Sequence, residues 1–147
     1  MDENIATMLA QVSRLIRRHF DARARQIGVT RPQWQVLSLL NHHAGINQGG
    51  LAEILEVEPI TAGRMIDRLQ EAGLVERRED PADRRAWRLY LTERGMSQLD
   101  ELRPFAREAL AIALEGVDEA AIDAMQGVLG QMRANLTRKP GGEGAAG

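Results

Sequence analysis

The feature that most constrains the fold is a pair of short amphipathic segments, separated by three residues and followed at once by two short charged segments. Residues 47–55 predict a helix capped by Asn47 or Gln48, and Glu58-Pro59 begins a second helix that ends at Gly73. The stripe expected to bury this second helix is Ile60, Met65, Ile66 and Leu69. Two helices at this spacing predict a helix-turn-helix, in which the second helix enters the major groove of DNA.

Two strands are predicted directly after this pair of helices. Residues 74–78 and 87–91 favour extended structure, and residues 81–85 form a turn-rich connection between them. A basic hairpin tip in this place is able to reach the neighbouring minor groove. The predicted fold is therefore mainly α with a small β-hairpin wing, a winged helix-turn-helix.

Further helices are predicted on both sides of this unit. A first helix runs from Ile5 to about residue 26 and is stopped by Gly28, and a second begins with a capping box at Thr30-Arg31-Pro32-Gln33 and ends near residue 43. Thr92 caps a fifth helix that is kinked or started afresh at Pro104, and Asp118 caps a sixth.

The apolar stripes of the terminal helices are longer than a winged helix is able to cover, which predicts an association surface. We expect residues 1–28 and 95–137 to form a helical dimerisation region and residues 30–94 to form the winged helix-turn-helix domain. Residues 138–147 have no side chains suited to packing and are expected to be disordered.

Composition removes several classes of protein. The 147 residues include no cysteine, which excludes disulfides, thiolate catalysis and cysteine redox sensing, and the five aromatic residues are too few for a platform that stacks single-stranded bases. No segment predicts a membrane span or a signal peptide, so a cytoplasmic location is expected. No arrangement of residues predicts an enzyme, a metal site or a cofactor.

Charge is distributed unevenly although the net charge is only -2. Residues 12–25 hold five arginines and one acid, whereas residues 95–136 hold seven acids and three arginines. Residues 64–94 mix eight arginines with seven acids, so any DNA binding there depends on geometry rather than on general positive charge.

Several strings resemble those of the MarR family of bacterial transcriptional regulators, nearest its SlyA-like branch. The wing signature Asp83-Arg84-Arg85 followed by Leu91-Thr92-Glu93-Arg94-Gly95 is the most specific, and three other strings agree with it: Thr30–Trp34, Leu51–Leu55 and Pro59–Leu69. The resemblance covers about residues 5–137. It implies a homodimer on pseudo-palindromic double-stranded DNA, with a repressing or anti-repressing role.

On the second helix of the pair, Arg64 and Arg68 lie one turn apart and outside the apolar stripe. They are candidates for contacts with guanine or phosphate, and the resemblance implies DNA contact at Arg64. The alternatives are a solvated face and, for Arg68, pairing with Asp67 or Glu71. Pro59, Ile60 and Thr61 lie where recognition helices meet DNA, although Thr61 is also able to act as a helix cap.

In the wing, the resemblance implies that Arg85 enters the minor groove while Asp83 orders the loop, with Arg84 as the next candidate. The alternative is a solvated turn. Three further arginines are interpreted as phosphate contacts or strand-face charges rather than base readers: Arg77, Arg78 and Arg88.

The resemblance also implies a pocket for small aromatic or phenolic anions between the dimerisation helices and the winged helix. Trp34, His42 and Arg17 are candidates to line it, and core packing is an equal alternative for Trp34. Gly63 lies in the middle of the second helix of the pair, where members of the family usually have a larger residue. The glycine either admits a closer approach to DNA or loosens the helix. A winged-helix interaction module without specific DNA binding remains the alternative function.

Overall fold

A computed structural model of the chain describes residues 4–138, without the side chain of Arg84. The tail that was predicted to be disordered lies, beyond Arg138, outside the described residues. Six helices and two strands follow one another along the chain: α1 Ile5–Gln26, α2 Arg31–His42, α3 Gln48–Leu55, α4 Pro59–Glu71, β1 Val75–Asp80, β2 Asp83–Leu91, α5 Glu93–Ala113 and α6 Glu119–Thr137. The predicted mainly α fold with a hairpin is confirmed, and none of the described helices is long and apolar enough to cross a membrane.

The predicted helix caps are present. Gln33 Oε1 accepts the backbone N–H of Thr30 at 2.8 Å, Asn47 Oδ1 accepts that of Gly50 at 2.8 Å, and Asp118 Oδ1 accepts that of Ala121 at 2.8 Å. Each bond satisfies a donor that has no partner inside its helix, which is why short polar residues mark these boundaries in the sequence.

The described residues divide into two compact units, with the boundary between Leu110 and Ala111. The main core of the first unit joins α2, α3, α4, both strands and the start of α5. Its fully buried large side chains include Leu37, Leu40, Leu51, Ile66 and Leu89. A second cluster joins α1 and α5 through Phe20, Ala24, Val29, Leu102 and Ala109.

The two strands are antiparallel and pair Val75 with Leu91 at the base and Asp80 with Asp83 near the tip. The strands are longer than predicted, so the connection is the two-residue turn Pro81-Ala82 instead of residues 81–85. The segment before α3 also joins β2: Gly45 N donates to Leu89 O at 2.9 Å, and Leu89 N donates to Ile46 O at 2.9 Å. The hairpin is therefore held by backbone hydrogen bonds to the segment between α2 and α3, as well as by its apolar face.

The start of α5 shows why the string Leu91-Thr92-Glu93-Arg94-Gly95 accompanies the hairpin. Thr92 Oγ1 donates to Gly73 O at 2.6 Å and accepts from Gly95 N at 3.0 Å. A Cβ atom on Gly95 would lie 2.1 Å from the carbonyl oxygen of Leu74, so only glycine fits there. These contacts fix the end of α4, the base of the hairpin and the start of α5 together.

Two predictions are wrong in detail. Ile60 was expected in the buried stripe of α4, but it is 66% exposed, because the first turn of α4 extends beyond the core. Of the two alternatives predicted at Pro104, a kink or a fresh start, the fresh start is wrong, because α5 is one helix from Glu93 to Ala113. Leu102 and Ala109 are buried on either side of this proline, so packing holds both halves in register despite the missing N–H.

Candidate nucleic-acid interface

The helix α4 has two faces of opposite character. Ala62, Ile66 and Leu69 are buried, whereas Thr61, Arg64 and Arg68 are exposed and share a face at spacings of three and four residues. Neither Arg64 nor Arg68 has a hydrogen bond or ion pair within residues 4–138. This face presents two cations and a hydroxyl to solvent.

Arg68 forms neither of the two ion pairs considered for it, with Asp67 or with Glu71, among the described contacts. Asp67 instead binds Arg77, with a distance of 2.7 Å between Asp67 Oδ1 and Arg77 Nη2. Glu71 is exposed and has no partner among residues 4–138. The guanidinium of Arg68 therefore stays available for a ligand.

The N-terminus of α4 adds polar backbone to this surface. Glu58 is the N-cap but makes no side-chain cap bond, and the first backbone bond of the helix runs from Ala62 N to Glu58 O at 3.1 Å. The N–H groups of Ile60 and Thr61 thus precede the helix ladder, at the end where the macrodipole favours an anion. Thr61 lies in the first turn and is not the N-cap, which argues against a capping role for its hydroxyl.

Two carboxylates shape the tip of the hairpin. Asp83 Oδ1 accepts the backbone N–H of Arg85 at 3.0 Å, and Asp80 Oδ1 accepts that of Ala82 at 2.9 Å. Asp80 also forms an ion pair with Arg88, at 3.2 Å between Oδ2 and Nε. Arg85 is exposed and has no side-chain partner among the described residues, so the bonds fix the backbone while this guanidinium remains free. The Arg84 side chain lies outside the described part of the chain.

The other hairpin arginines with described side chains, Arg77, Arg78 and Arg88, are paired. Arg78 binds Glu76 and lies over the ring of Tyr90, 4.2 Å from its centroid, and Arg88 binds Asp80. Arg77 turns towards α4. The arginines that were grouped together in the sequence are thus separated by the fold into paired groups and free groups, and Arg85 belongs to the free ones.

Sequence reasoning missed three contributors to this surface. Asp80 orders the tip as much as Asp83 does, Gln70 accepts from Arg77, and Gln48 packs against Gly63. A Cβ atom on Gly63 would lie 2.8 Å from Gln48 Nε2, which donates to Pro59 O at 3.0 Å. Gly63 is buried against Gln48 of α3. This packing, and not a closer approach to DNA or a loosened helix, accounts for glycine at this position. Of these contacts, only the bond from Ala82 N to Asp80 has a local sequence signal, an Asp two residues before the donor.

The three candidate ligand residues occupy different surroundings. Trp34 Nε1 donates to Asp21 Oδ1 at 2.7 Å, and its ring meets Phe20 edge-on with 4.9 Å between centroids. Asp21 is 6% exposed and also accepts from Arg31 Nε at 2.7 Å. His42 is exposed in the last turn of α2, and Arg17 is half-buried. No hydrogen bond or ring contact described within residues 4–138 joins any two of Trp34, His42 and Arg17, and the indole of Trp34 packs against the second core.

Comparisons with known proteins agree with this architecture. The model of the MarR family matches residues 29–87, which include α2, α3, α4, β1 and the first part of β2. A relative from Bacillus subtilis (strain 168), the HTH-type transcriptional regulator YybA, is 27% identical over 114 residues, which are 78% of this chain and 76% of the relative.

Two solved structures extend the likeness beyond the matched segment. The transcriptional regulator SlyA is 28% identical, with a TM-score of 0.74, and the match covers 91% of this chain and 94% of SlyA. A mutant of MarR from E. coli in complex with operator DNA is 21% identical, with a TM-score of 0.71 and coverage of 87% of this chain and 92% of that one. At 21% identity, the similarity to the MarR mutant shows a shared fold.

Proposed function

We propose that the chain, whose residues 29–87 match the model of the MarR family, is a DNA-binding transcriptional regulator of that family, not an enzyme, and that it acts as a homodimer on a pseudo-palindromic operator. The observation that carries the proposal is the set of unpaired arginines on the winged unit. Arg64 and Arg68 extend from α4 and Arg85 from the hairpin tip, whereas Arg77, Arg78 and Arg88 are paired. Free guanidinium groups on a helix and on an adjoining hairpin suit the major and the minor groove, respectively.

Each proposed contact has a distinct role. Arg64 and Arg68 meet guanine edges or phosphates, and Thr61 with the first turn of α4 binds a phosphate through hydroxyl and backbone N–H groups. Ile60, which is exposed beside them, offers an apolar contact to a thymine methyl group, and Pro59 fixes the start of the helix. Arg85 enters the minor groove, and Asp83 holds the wing in shape for it. That a protein of similar fold, a mutant of MarR from E. coli, was solved in complex with operator DNA supports DNA as the partner.

The homodimer is proposed from apolar side chains that the described chain leaves exposed. In the first unit, α1 exposes Ile5, Met8, Val12 and Leu15. In the second unit, α6 has no buried residue and exposes Val128 and Leu136, which are 59% and 83% accessible. Soluble monomers rarely leave such stripes uncovered, and a second copy of the chain would cover them. Two recognition helices then meet half-sites about one helical turn apart.

The regulatory output follows from occupancy of a promoter. Bound there, the dimer represses transcription or displaces another repressor, and a small aromatic or phenolic anion at a pocket near Trp34, His42 and Arg17 releases it by favouring another spacing of the recognition helices. The half-buried, unpaired guanidinium of Arg17 supports an anion as effector. A protein that binds chromosomal DNA in this way works in the cytoplasm.

A winged-helix interaction module that does not read DNA is the second candidate. It is favoured by the sequence pI of 5.9 and by the internal pairing of three wing arginines, which lowers the positive charge available to a polyanion.

Selection of random duplex DNA by the purified chain, followed by binding at several salt concentrations, tests the proposal against this alternative. We expect recovery of an A·T-rich pseudo-palindrome whose affinity falls steeply with salt. Recovery of no motif by folded, dimeric protein, with or without small phenolic anions, would contradict the proposal.

A further inference from the structure

One arginine of the hairpin differs from the others in where its charge is placed. Arg77 is paired across the sheet with Leu89, which is fully buried, so it lies on the inner face of β1. Its side chain is 20% exposed, against 59% for Arg78 and 46% for Arg88 on the outer face. Arg77 therefore faces α4 and not the solvent.

The guanidinium of Arg77 binds three groups of α4. Nη2 donates to Asp67 Oδ1 at 2.7 Å and approaches Gly63 O at 3.5 Å, and Nη1 donates to Gln70 Oε1. Gly63, Asp67 and Gln70 follow one another at spacings of four and three along a single edge of the helix. Both terminal nitrogens are thus engaged, which leaves this fork with little capacity to bind a phosphate.

We propose that Arg77 is a positioning residue for DNA binding, which fixes the hairpin against α4 through Asp67 and Gln70 so that Arg85 and Arg64 meet DNA together. The inference rests on the proposed function, because positioning for DNA has meaning only if the chain binds DNA. The pair lies at the join between the two elements that carry the free arginines. Because Asp67 is 65% exposed, the pair contributes little to the free energy of unfolding, and its main effect is on the relative orientation of these elements.

Replacement of Asp67 distinguishes positioning from direct contact, because the two roles predict opposite signs. Removal of an acid from a DNA-binding surface normally strengthens binding, since it reduces repulsion of phosphate. If Asp67 holds Arg77 in place, Asp67→Asn instead weakens binding of the selected duplex by about tenfold, the size typical of coupled neighbours. Glu71→Gln is the matched control: Glu71 lies one turn further along α4 without a described partner, and its replacement should leave binding unchanged or slightly stronger.

A double-mutant cycle then tests the pair itself. We expect Arg77→Gln to weaken binding about as much as Asp67→Asn, and the double variant to be little worse than either single variant. Thermal unfolding and the mass of the free protein should be close to those of the unaltered chain for Asp67→Asn, which keeps the test valid even if Arg77→Gln destabilises the fold.

Footprinting supplies a readout that a purely stabilising role would not change. Because the hairpin alone is displaced, Asp67→Asn should lose hydroxyl-radical protection of the minor groove at the flanks, while protection of guanine N7 in the major groove is retained. Equal or tighter binding by Asp67→Asn, or uniform loss of both protections, would overturn the positioning role while the proposed function stands. Failure of the unaltered chain to select any duplex would overturn both.

Discussion

The winged unit and the terminal helices differ in how much apolar surface they leave exposed. Between α2 and the hairpin, most of the large apolar side chains are buried in one core, and Arg64, Arg68 and Arg85 are exposed without partners among the described residues. The terminal helices α1 and α6 expose apolar stripes, and α1 also carries arginines, of which Arg23 is paired with Glu108 at 3.0 Å and Arg17 has no described partner. A polyanion would satisfy the first surface and a second apolar surface would cover the other, which agrees with the two partners proposed above, DNA and another copy of the chain.

The largest effect is expected from a charged substitution in the exposed apolar stripe of α6. Val128→Glu places a charge within the exposed stripe of α6 and should convert the dimer to a monomer. DNA binding should then fall by about a hundredfold or more, because two linked half-sites raise affinity by about 10²–10⁴. Light scattering gives the mass, and a binding titration gives the affinity.

The matched control on the same helix is Ala134→Glu. Ala134 is exposed and lies on the side of α6 opposite the apolar stripe, so the added charge should leave the dimer intact. If Val128→Glu remains dimeric with unchanged DNA affinity, the assignment of α6 to self-association is wrong.

A smaller but still large effect is expected at the centre of the cationic surface. Arg64→Ala removes a free guanidinium from α4 and should weaken binding by about ten- to a hundredfold, since a bidentate contact to guanine contributes about 1–3 kcal/mol of discrimination. Selection with this variant should show relaxed preference at one position of each half-site. A loss that is equal for all sequences would assign Arg64 to phosphate instead of to a base.

The hairpin allows a direct comparison of a free arginine with a paired one. Arg85→Ala should weaken DNA binding by about tenfold without changing the dimer, because a free minor-groove cation is lost. Arg78→Ala removes the same charge from an arginine already bound to Glu76 and Tyr90, and should cost less than about threefold. Similar losses for the two variants would show that pairing in the free protein does not decide which arginines meet DNA.

The smallest effect is expected from Asp83→Ala, which removes the acceptor of the Arg85 N–H and leaves Arg85 itself in place. Because Asp80 still holds the adjacent turn, binding should weaken only about three- to fivefold, with faster amide exchange confined to the hairpin tip. Exchange that is unchanged at Arg85 would count against an ordering role for Asp83.

Local features of the fold were predictable from the sequence, and long-range ones were not. Caps at Asn47 and Asp118 depend on residues three positions apart, so the sequence displays them directly. The exposure of Ile60 depends on how far the core extends beneath α4, which its own spacing does not reveal. The pairing of Gly45 and Ile46 with β2 escaped prediction because it is a backbone contact in a glycine-rich loop.

The candidate site also has local features that were predictable from the sequence and long-range contacts that were not. A cationic helix face at Arg64 and Arg68 follows from helical spacing, and the order at the tip follows from an Asp two residues before its donor. The partner of Arg77 could not be predicted, because Asp67 is ten residues away and nothing in the sequence separates Arg77 from Arg78. The burial of Asp21 between Trp34 and Arg31 was missed for the same reason.

Stoichiometry on the selected duplex tests the central claim most directly, since that claim joins a free cationic surface to a self-associating apolar one. Sedimentation of the complex at protein concentrations well above the dissociation constant should give two chains per duplex, with both half-sites protected. One chain per duplex, or a dimer that leaves the duplex unbound at low salt, would contradict the account.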